Sequence, residues 1–81
     1  NSLFPVSIYM KGLDSIGTLG KITEIISQKM NVNMNKLVIE SKEGLFEGTI
    51  SVMVHSLNDV TKIQKELKKI KNITTVVRKE E

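Results

Sequence analysis

The apolar residues of this 81-residue chain switch four times between a spacing of 2 and a spacing of 3.6, which limits the folds open to it. A spacing of 2 indicates a half-buried strand, and a spacing of 3.6 indicates an amphipathic helix. The first segment is a predicted strand over residues 4–10. One face carries Phe4, Val6, Ile8 and Met10, and the other carries Ser7, Tyr9 and Lys11.

A turn-rich hinge over residues 12–17 separates this strand from a predicted helix over residues 17–30. The helical stripe consists of Leu19, Ile22, Ile25, Ile26 and Met30. Asp14 or Ser15 is expected to cap the helix start, and Lys29 suits the negative end of the helix dipole.

Two strands joined by a hairpin follow Asn31. Val32 and Met34 alternate in one phase, whereas Leu37 and Ile39 alternate in the other. One extra residue near Asn35 and Lys36 would cause this shift, so we expect a β-bulge or a change of face. Residues 41–44 form the predicted turn. In the next strand Ile50, Val52 and Val54 face one way, and Thr49, Ser51 and Met53 face the other.

The last quarter of the chain predicts a second helix and a final strand. Ser56 and Asp59 fit the capping box that begins many helices. Helical spacing then relates Val60, Ile63, Leu67 and Ile70. Residues 73–79 are rich in β-branched side chains, which favours a strand, and residues 79–81 are expected to fray.

The resulting order βαββαβ predicts an α+β, ferredoxin-like sandwich. It has a four-stranded antiparallel sheet with two helices on one face, because right-handed crossovers place both helices on the same side. We expect one domain over residues 1–81, ordered from about 4 to 79. The other sheet face has no cover within the chain, and its expected occupants include Tyr9, Ser7, Ser51 and Met53.

Length and composition narrow the function. A domain this small has a thin core, and the absence of cysteine excludes disulfides, thiolate metal sites and cysteine nucleophiles. We therefore expect support from a second copy or from neighbouring domains, a cytoplasmic location, and no cofactor. No apolar run is long enough for a membrane helix. The chain begins at Asn1 without an initiator Met, from which we expect a piece of a longer protein or a tag remnant.

Catalysis by these residues is not expected. The carboxylates have no acid–base spacing, and His55 fits a surface position at a strand end. The glycines at 12 and 17 lack the Lys-Ser/Thr that completes a phosphate loop. An acylphosphatase-type site would need a loop arginine, whereas the one arginine, Arg78, lies in the last predicted strand.

RNA binding and ligand binding remain open. An RNA-recognition module has this strand–helix order but needs stacking aromatics on its open face, where only Tyr9 is expected. Residues 60–79 hold seven basic side chains and one acid, a pattern typical of a phosphate contact or of a solvated helix face. The first strand–helix junction would suit a carboxylate at its backbone N–H groups, with acceptors on Asp14 and Asn33. Alternatively, Asp14 only caps the helix, Gly17 only permits the turn, and Asn33 only lies at a strand edge.

The run Gly12-Leu13-Asp14-x-x-Gly17-x-Leu19-x-x-Ile22, followed by Ile25-Ile26-Ser27 and Asn31-Val32-Asn33, resembles the ACT domain family. The end, Leu67-x-x-Ile70-x-x-Ile73-x-x-Val76-Val77-Arg78, is also similar to that family. The resemblance covers residues 4–78 and is strongest to the C-terminal ACT domain of RelA/SpoT-type (p)ppGpp synthetase/hydrolases, the GTP pyrophosphokinases. At three positions the sequence departs from the common pattern: Ser15, Thr18 and Asn72.

The resemblance implies a regulatory role in the stringent response rather than catalysis. ACT domains typically bind amino acids and pair through sheet edges or helices, so a homodimer and an amino-acid effector are expected, without membrane contact. The implied effector site contains Asp14, Ser15, Ile16, Gly17, Thr18, Leu19 and Asn33. The implied contact with ribosomal RNA or another domain contains Lys62, Lys65, Lys68, Lys69 and Arg78. The alternatives are a regulatory domain of an amino-acid biosynthesis enzyme of the acetolactate synthase type, or a ribosome-contacting module without a small ligand.

Overall fold

A computed structural model describes residues 2–13, 17–30 and 32–79. The strands are β1 (Phe4–Leu13), β2 (Asn33–Lys42), β3 (Leu45–Val54) and β4 (Ile73–Lys79). The helices are α1 (Thr18–Glu24), which continues into a π-helical turn (Ile25–Lys29), and α2 (Leu57–Lys68). The observed order βαββαβ confirms the predicted ferredoxin-like fold.

The sheet has the order β2-β3-β1-β4, and every neighbouring pair is antiparallel. β1 and β3 are therefore the central strands, and β2 and β4 form the two edges. Alternate residues of β1 are buried, as the sequence predicts: Val6, Ile8 and Met10 face the core. They pack in one cluster with Ile22 and Ile26 of the first helix and with Val60, Ile63 and Leu67 of α2.

The β-bulge in β2 is confirmed. The register of β2 against β3 shifts between Met34 and Lys36, which leaves Asn35 as the extra residue. The shift keeps Met34 and Leu37 on the core side, because each pairs with a buried residue of β3. The hairpin turn is tighter than predicted. β2 continues through Lys42, and the turn consists of Glu43 and Gly44, both at positive φ, as a two-residue hairpin favours.

The first helix differs from its prediction in two respects. Its N-cap is Gly17, at φ 92°, without a side-chain cap hydrogen bond. The predicted caps, Asp14 and Ser15, lie outside the described residues. Leu19 was expected in the apolar stripe but is 49% exposed. The stripe instead passes through Thr18, Ile22 and Ile26, spaced four residues apart, and Leu19 falls at its margin in the first turn.

α2 begins as the capping box predicts. The Ser56 hydroxyl accepts a hydrogen bond from the Asp59 backbone N–H at 3.4 Å. The Asp59 carboxylate accepts one from the backbone N–H of His55 at 3.3 Å, one residue before the usual reciprocal partner. These bonds satisfy donors that a helix start otherwise leaves unpaired, and they fix the direction in which α2 leaves β3.

Candidate functional site

The helix layer contains an open groove of about 500 Å³ between the first helix and the C-terminal end of α2, which we call the helix groove. Gly17 and Thr18 line one end, together with Asn72 from the turn between α2 and β4. Half-buried Ile25 and Ile70 provide its apolar surface. The groove is therefore partly apolar and begins at the strand–helix junction that the sequence singled out.

The charged residues of the groove carry a cationic excess, with four lysines against two glutamates. Lys29 and Lys69 donate to the Glu66 carboxylate at 2.5 and 2.8 Å. These bonds, first that of Lys29 and then that of Lys69, lower the pKa of Glu66 to about 2. Glu66 thereby joins the π-helical turn to α2 while cancelling part of the positive charge. Lys21 lies 3.8 Å from Glu24, both side chains well exposed, so this pair adds little.

Lys71 completes the cationic set and has no ion-pair partner among residues 2–13, 17–30 and 32–79. Lys71 is therefore the lysine of the helix groove that can bind a small anion without first leaving a carboxylate in the described part of the chain. Arrangements of this kind favour ligands with one acidic group and an apolar body.

The groove is anchored to the sheet through backbone contacts at Gly12 and Asn72. The Leu13 N–H donates to the Asn72 carbonyl oxygen at 2.8 Å. A side chain at Gly12 would collide with that oxygen and with the Phe46 ring. Asn72 itself has φ 78°, a left-handed backbone conformation that asparagine tolerates. The end of β1 and the start of β4 are thus held together beside Gly17.

The structure brings only part of the predicted effector set into the groove. Gly17 and Thr18 line it, and Thr18 is buried. Leu19 is exposed and does not line the groove. Asp14, Ser15 and Ile16 lie outside the described residues. A Cβ atom at Gly17 would meet nothing within 4 Å, so the glycine is required there by its φ angle rather than by crowding.

Asn33 lies far from Gly17 within one chain. It pairs with Met53, which pairs with Pro5 near the start of β1, whereas Gly17 follows the end of β1 at Leu13. Eight strand residues separate Pro5 from Leu13, which corresponds to about 27 Å. Asn33 therefore cannot reach the same small ligand as Gly17 and Thr18 in a single copy.

The predicted basic contact surface is on the outside of the helix layer. Lys62, Lys65 and Lys69 are spaced by three and four residues and form one row along α2, and all are exposed. Lys68 lies about 100° around the helix axis from Lys69. Arg78 is exposed in β4 opposite Ile8, on the helix-bearing side of the sheet. In the described part of the chain Lys62, Lys65, Lys68 and Arg78 form no ion pair, whereas Lys69 is held by Glu66.

The uncovered sheet face carries one aromatic side chain of the central strands, as predicted. The Tyr9 hydroxyl donates to the Glu47 carboxylate at 2.9 Å. Partial burial, and then this bond, raise the pKa of Tyr9. Phe46 points into the core, and Phe4 packs against it. The described residues of β1 and β3 therefore lack the set of stacked aromatics by which RNA-recognition modules hold bases.

Some features of the site depend on contacts between residues that are distant in sequence. The bond between Lys29 and Glu66 links residues 37 positions apart, so no local spacing indicates it. The role of Gly12 is visible only once Asn72 and Phe46 are placed around it. Among the described residues no group of His, Asp or Glu side chains is arranged to hold a metal ion, and no helix is long and apolar enough to cross a membrane.

Comparisons with known proteins agree with this architecture. The family model of the ACT domain matches residues 1–78. The crystal structure of the ACT domain from GTP pyrophosphokinase of Chlorobium tepidum is 27% identical, covering 96% of this chain and 100% of that one, with a TM-score of 0.86. Its solution NMR structure is 26% identical, covering 98% and 89%, with a TM-score of 0.86.

An ACT domain protein from Streptococcus pneumoniae, 16% identical with a TM-score of 0.73 over 98% of this chain and 90% of that one, shares the fold. No curated protein matches the sequence. The family match spans nearly the whole chain, and the observed fold is the one that the solved ACT domains have. The chain belongs to the ACT domain family, a family of regulatory domains.

Proposed function

We infer that this ACT domain is the regulatory, ligand-sensing and oligomerising part of a GTP pyrophosphokinase of the (p)ppGpp synthetase/hydrolase class. The supporting observation is the 27% identity to the Chlorobium tepidum domain over 96% of this chain and the full length of that one. The parent enzyme performs the chemistry in the cytoplasm, where its nucleotide substrate is found. These residues contribute binding and control in the stringent response, without a catalytic group of their own.

The proposed effector is an amino acid bound in the helix groove. Its carboxylate would face Lys71 and the Gly17–Thr18 end, and an aliphatic side chain would lie against Ile25 and Ile70. A groove of about 500 Å³ is large enough for such a molecule. Asn33 takes part only if it comes from a second copy, because of its distance from Gly17.

Titration calorimetry with the twenty amino acids at millimolar concentration tests this proposal. Lys71→Ala should weaken binding about 5–10-fold, since it removes the groove lysine that has no ion-pair partner among the described residues. Lys42→Ala is the matched control, because Lys42 is exposed at the far hairpin. Absence of heat from all twenty amino acids, with the chain folded, would refute ligand sensing by this domain.

The proposed oligomer forms through the sheet edges or the helices. β2 and β4 each leave one side without a hydrogen-bonded neighbour among the described strands, and such edges readily pair with another copy. Sedimentation equilibrium measures this association. A chain that stays monomeric at high micromolar concentration would refute oligomerisation of the isolated domain.

A ribosomal RNA contact is the second candidate function, favoured by the unpaired Lys62, Lys65, Lys68 and Arg78. Such binding should weaken steeply with salt, because each phosphate contact releases counterions. The triple variant Lys62→Glu/Lys65→Glu/Lys68→Glu should abolish it. An affinity for RNA that does not change with salt concentration, or that persists in the triple variant, would contradict this assignment. A domain that binds branched-chain amino acids but activates no nucleotide enzyme would favour the acetolactate synthase type.

A further inference from the structure

The sheet face that carries no helix, which we call the open face, has its side chains arranged in cross-strand rows. The register of the four strands defines them directly. The central row consists of Val38, Thr49, Tyr9 and Val77. Val38 and Val77 are 45% and 46% exposed, although valine is a residue that folding usually buries.

The two rows beside the central row carry opposite charge. The basic row consists of Lys36, Ser51, Ser7 and Lys79, and the acidic row consists of Glu40, Glu47, Lys11 and Thr75. Beyond the acidic row lie Lys42, Leu45 and Leu13, and the two leucines are about half exposed. Beyond the basic row lie Asn33, Met53 and Pro5. Each outer row therefore has a polar residue on β2 and an apolar pair on the two central strands.

Lys36 and Glu40 cannot neutralise each other within one chain. Both lie on the open face of β2, on either side of Val38, and four strand residues place them about 14 Å apart. Neither has an ion-pair partner in the described ranges. They provide a matched positive and negative charge, equally spaced from the central row, with no local use.

We propose that two copies of this chain pack open face to open face, related by a two-fold axis that runs along the central row. This rotation keeps each strand above its own counterpart and exchanges the basic row with the acidic row. Lys36 of each copy then meets Glu40 of the other, so the charge pair forms twice. The same rotation sets Leu45 and Leu13 against Met53 and Pro5, apolar against apolar, and pairs Val38 with its own copy.

The other two-fold arrangement, with the axis along the strands, fits poorly. It would keep each row above itself and exchange β2 with β4. Lys36 of each copy would then face Lys79 of the other, so two like-charged pairs would form and would offset the two Glu47–Lys11 pairs that the same rotation creates. The axis along the central row forms two salt bridges and no like-charged pair. Charge complementarity therefore selects the axis along the central row.

The size of the face indicates the expected strength. Four strands about 4.8 Å apart and about nine residues long cover about 600 Å² per copy, or about 1,200 Å² in the complex. That is the lower end of specific interfaces, where weak and transient complexes are found. Depressions of about 380 Å³ beside the basic row and about 470 Å³ beside the acidic row give protruding side chains of the second copy room to enter.

Charge reversal followed by sedimentation equilibrium tests the pairing in the wild-type chain and its variants. Lys36→Glu and Glu40→Lys should each weaken the dimer at least 10-fold, because each sets like charges together at both ends. Combining them should restore the dissociation constant to within about 3-fold. The control Gln28→Glu/Asn58→Glu changes net charge by the same amount as Lys36→Glu on the exposed helix layer and should have no effect.

Cross-linking provides the second measurement. The chain has no cysteine, so Val38→Cys introduces a single reactive site on the proposed axis. A short bismaleimide should link two such chains quickly, whereas a direct disulfide should not form, since facing sheets lie about 10 Å apart. Leu57→Cys, exposed on the helix layer, should remain uncoupled.

This pairing rests on the proposed oligomerisation and assigns its surface. A chain that stays monomeric at high micromolar concentration refutes both. A dimer whose dissociation constant is unchanged by Lys36→Glu and Glu40→Lys refutes the open-face pairing alone. The proposed oligomerisation then stands, through the sheet edges or the helices. Single reversals that weaken the dimer without recovery in the double variant refute the two-fold axis.

Discussion

Gly17 and Gly20 are three residues apart, and replacing each by alanine should change stability in opposite directions. Gly17 is the N-cap of α1 and has φ 92°, which L-residues rarely adopt. Gly20 lies inside α1 with no positive φ. A Cβ atom at either position meets nothing within 4 Å, so the backbone conformation alone distinguishes them.

The magnitudes follow from these conformations. At Gly17 a left-handed backbone costs an L-residue about 1–2 kcal/mol, so Gly17→Ala should lower the free energy of unfolding by about that amount. At Gly20 alanine is a better helix former, and Gly20→Ala should raise the free energy by about 0.5–1 kcal/mol. For a domain of this size each kcal/mol corresponds to roughly 4–8 °C in Tm. The two variants should therefore differ by about 10 °C.

Urea unfolding followed by far-ultraviolet circular dichroism measures both changes, at a protein concentration low enough to keep the chain monomeric. Gly17→Asn is the informative third variant, because asparagine tolerates the left-handed backbone and should recover most of the loss. If Gly17→Ala is as stable as the wild type, the assignment of a left-handed N-cap is wrong. Recovery of stability in Gly17→Asn without recovery of amino-acid binding would show that a ligand needs the bare backbone at Gly17.

Three further changes probe the elements around the site. Glu66→Gln removes a carboxylate whose pKa is lowered from 4.5 to about 2. The stabilisation from the ionised carboxylate is complete above pH 4.5 and disappears as the pH falls toward 2. The Tm difference between wild type and variant should therefore shrink between pH 4.5 and pH 2. Ser56→Ala should lower the free energy of unfolding in urea by about 1 kcal/mol, because it removes the hydroxyl that accepts from the Asp59 N–H and leaves that N–H only its bond to the Ser56 carbonyl oxygen. An unchanged midpoint would contradict that role. Gly12→Ala should lower the unfolding midpoint more than Gly17→Ala, since the Asn72 carbonyl has no room to move without losing its bond to β1.

The sequence was sufficient for the strands because their signal is local. Phe4 to Met10 alternate with period 2, and the phase shift at Asn35 indicated the bulge that the register contains. The first helix was harder, because its regular part has seven residues and then widens into a π-helical turn. A spacing of 3.6 read over residues 17–30 therefore included Leu19 and omitted Thr18.

The candidate site was predicted less completely because its parts are distant in sequence. Lys29 and Glu66 come together only when the first helix and α2 pack side by side, and Asn72 reaches β1 through its carbonyl oxygen rather than its side chain. Sequence reasoning found Gly17 through residue type. It placed Asn33 with Gly17 both as an acceptor at the first strand–helix junction and by resemblance, although the register puts them at opposite ends of the sheet.

The separation of Asn33 from Gly17 limits how the domain can sense a ligand. The open-face pairing places the second copy on the side of the sheet away from the helices, so it brings no residue of that copy into the helix groove. A dimer of that kind leaves each groove complete in itself, and ligand affinity should then be independent of dimerisation. Coupling between the two requires a second contact through the β2 or β4 edge, which the open-face pairing leaves exposed. With both surfaces, the open face would keep the two copies together and the edge contact would change when the ligand binds.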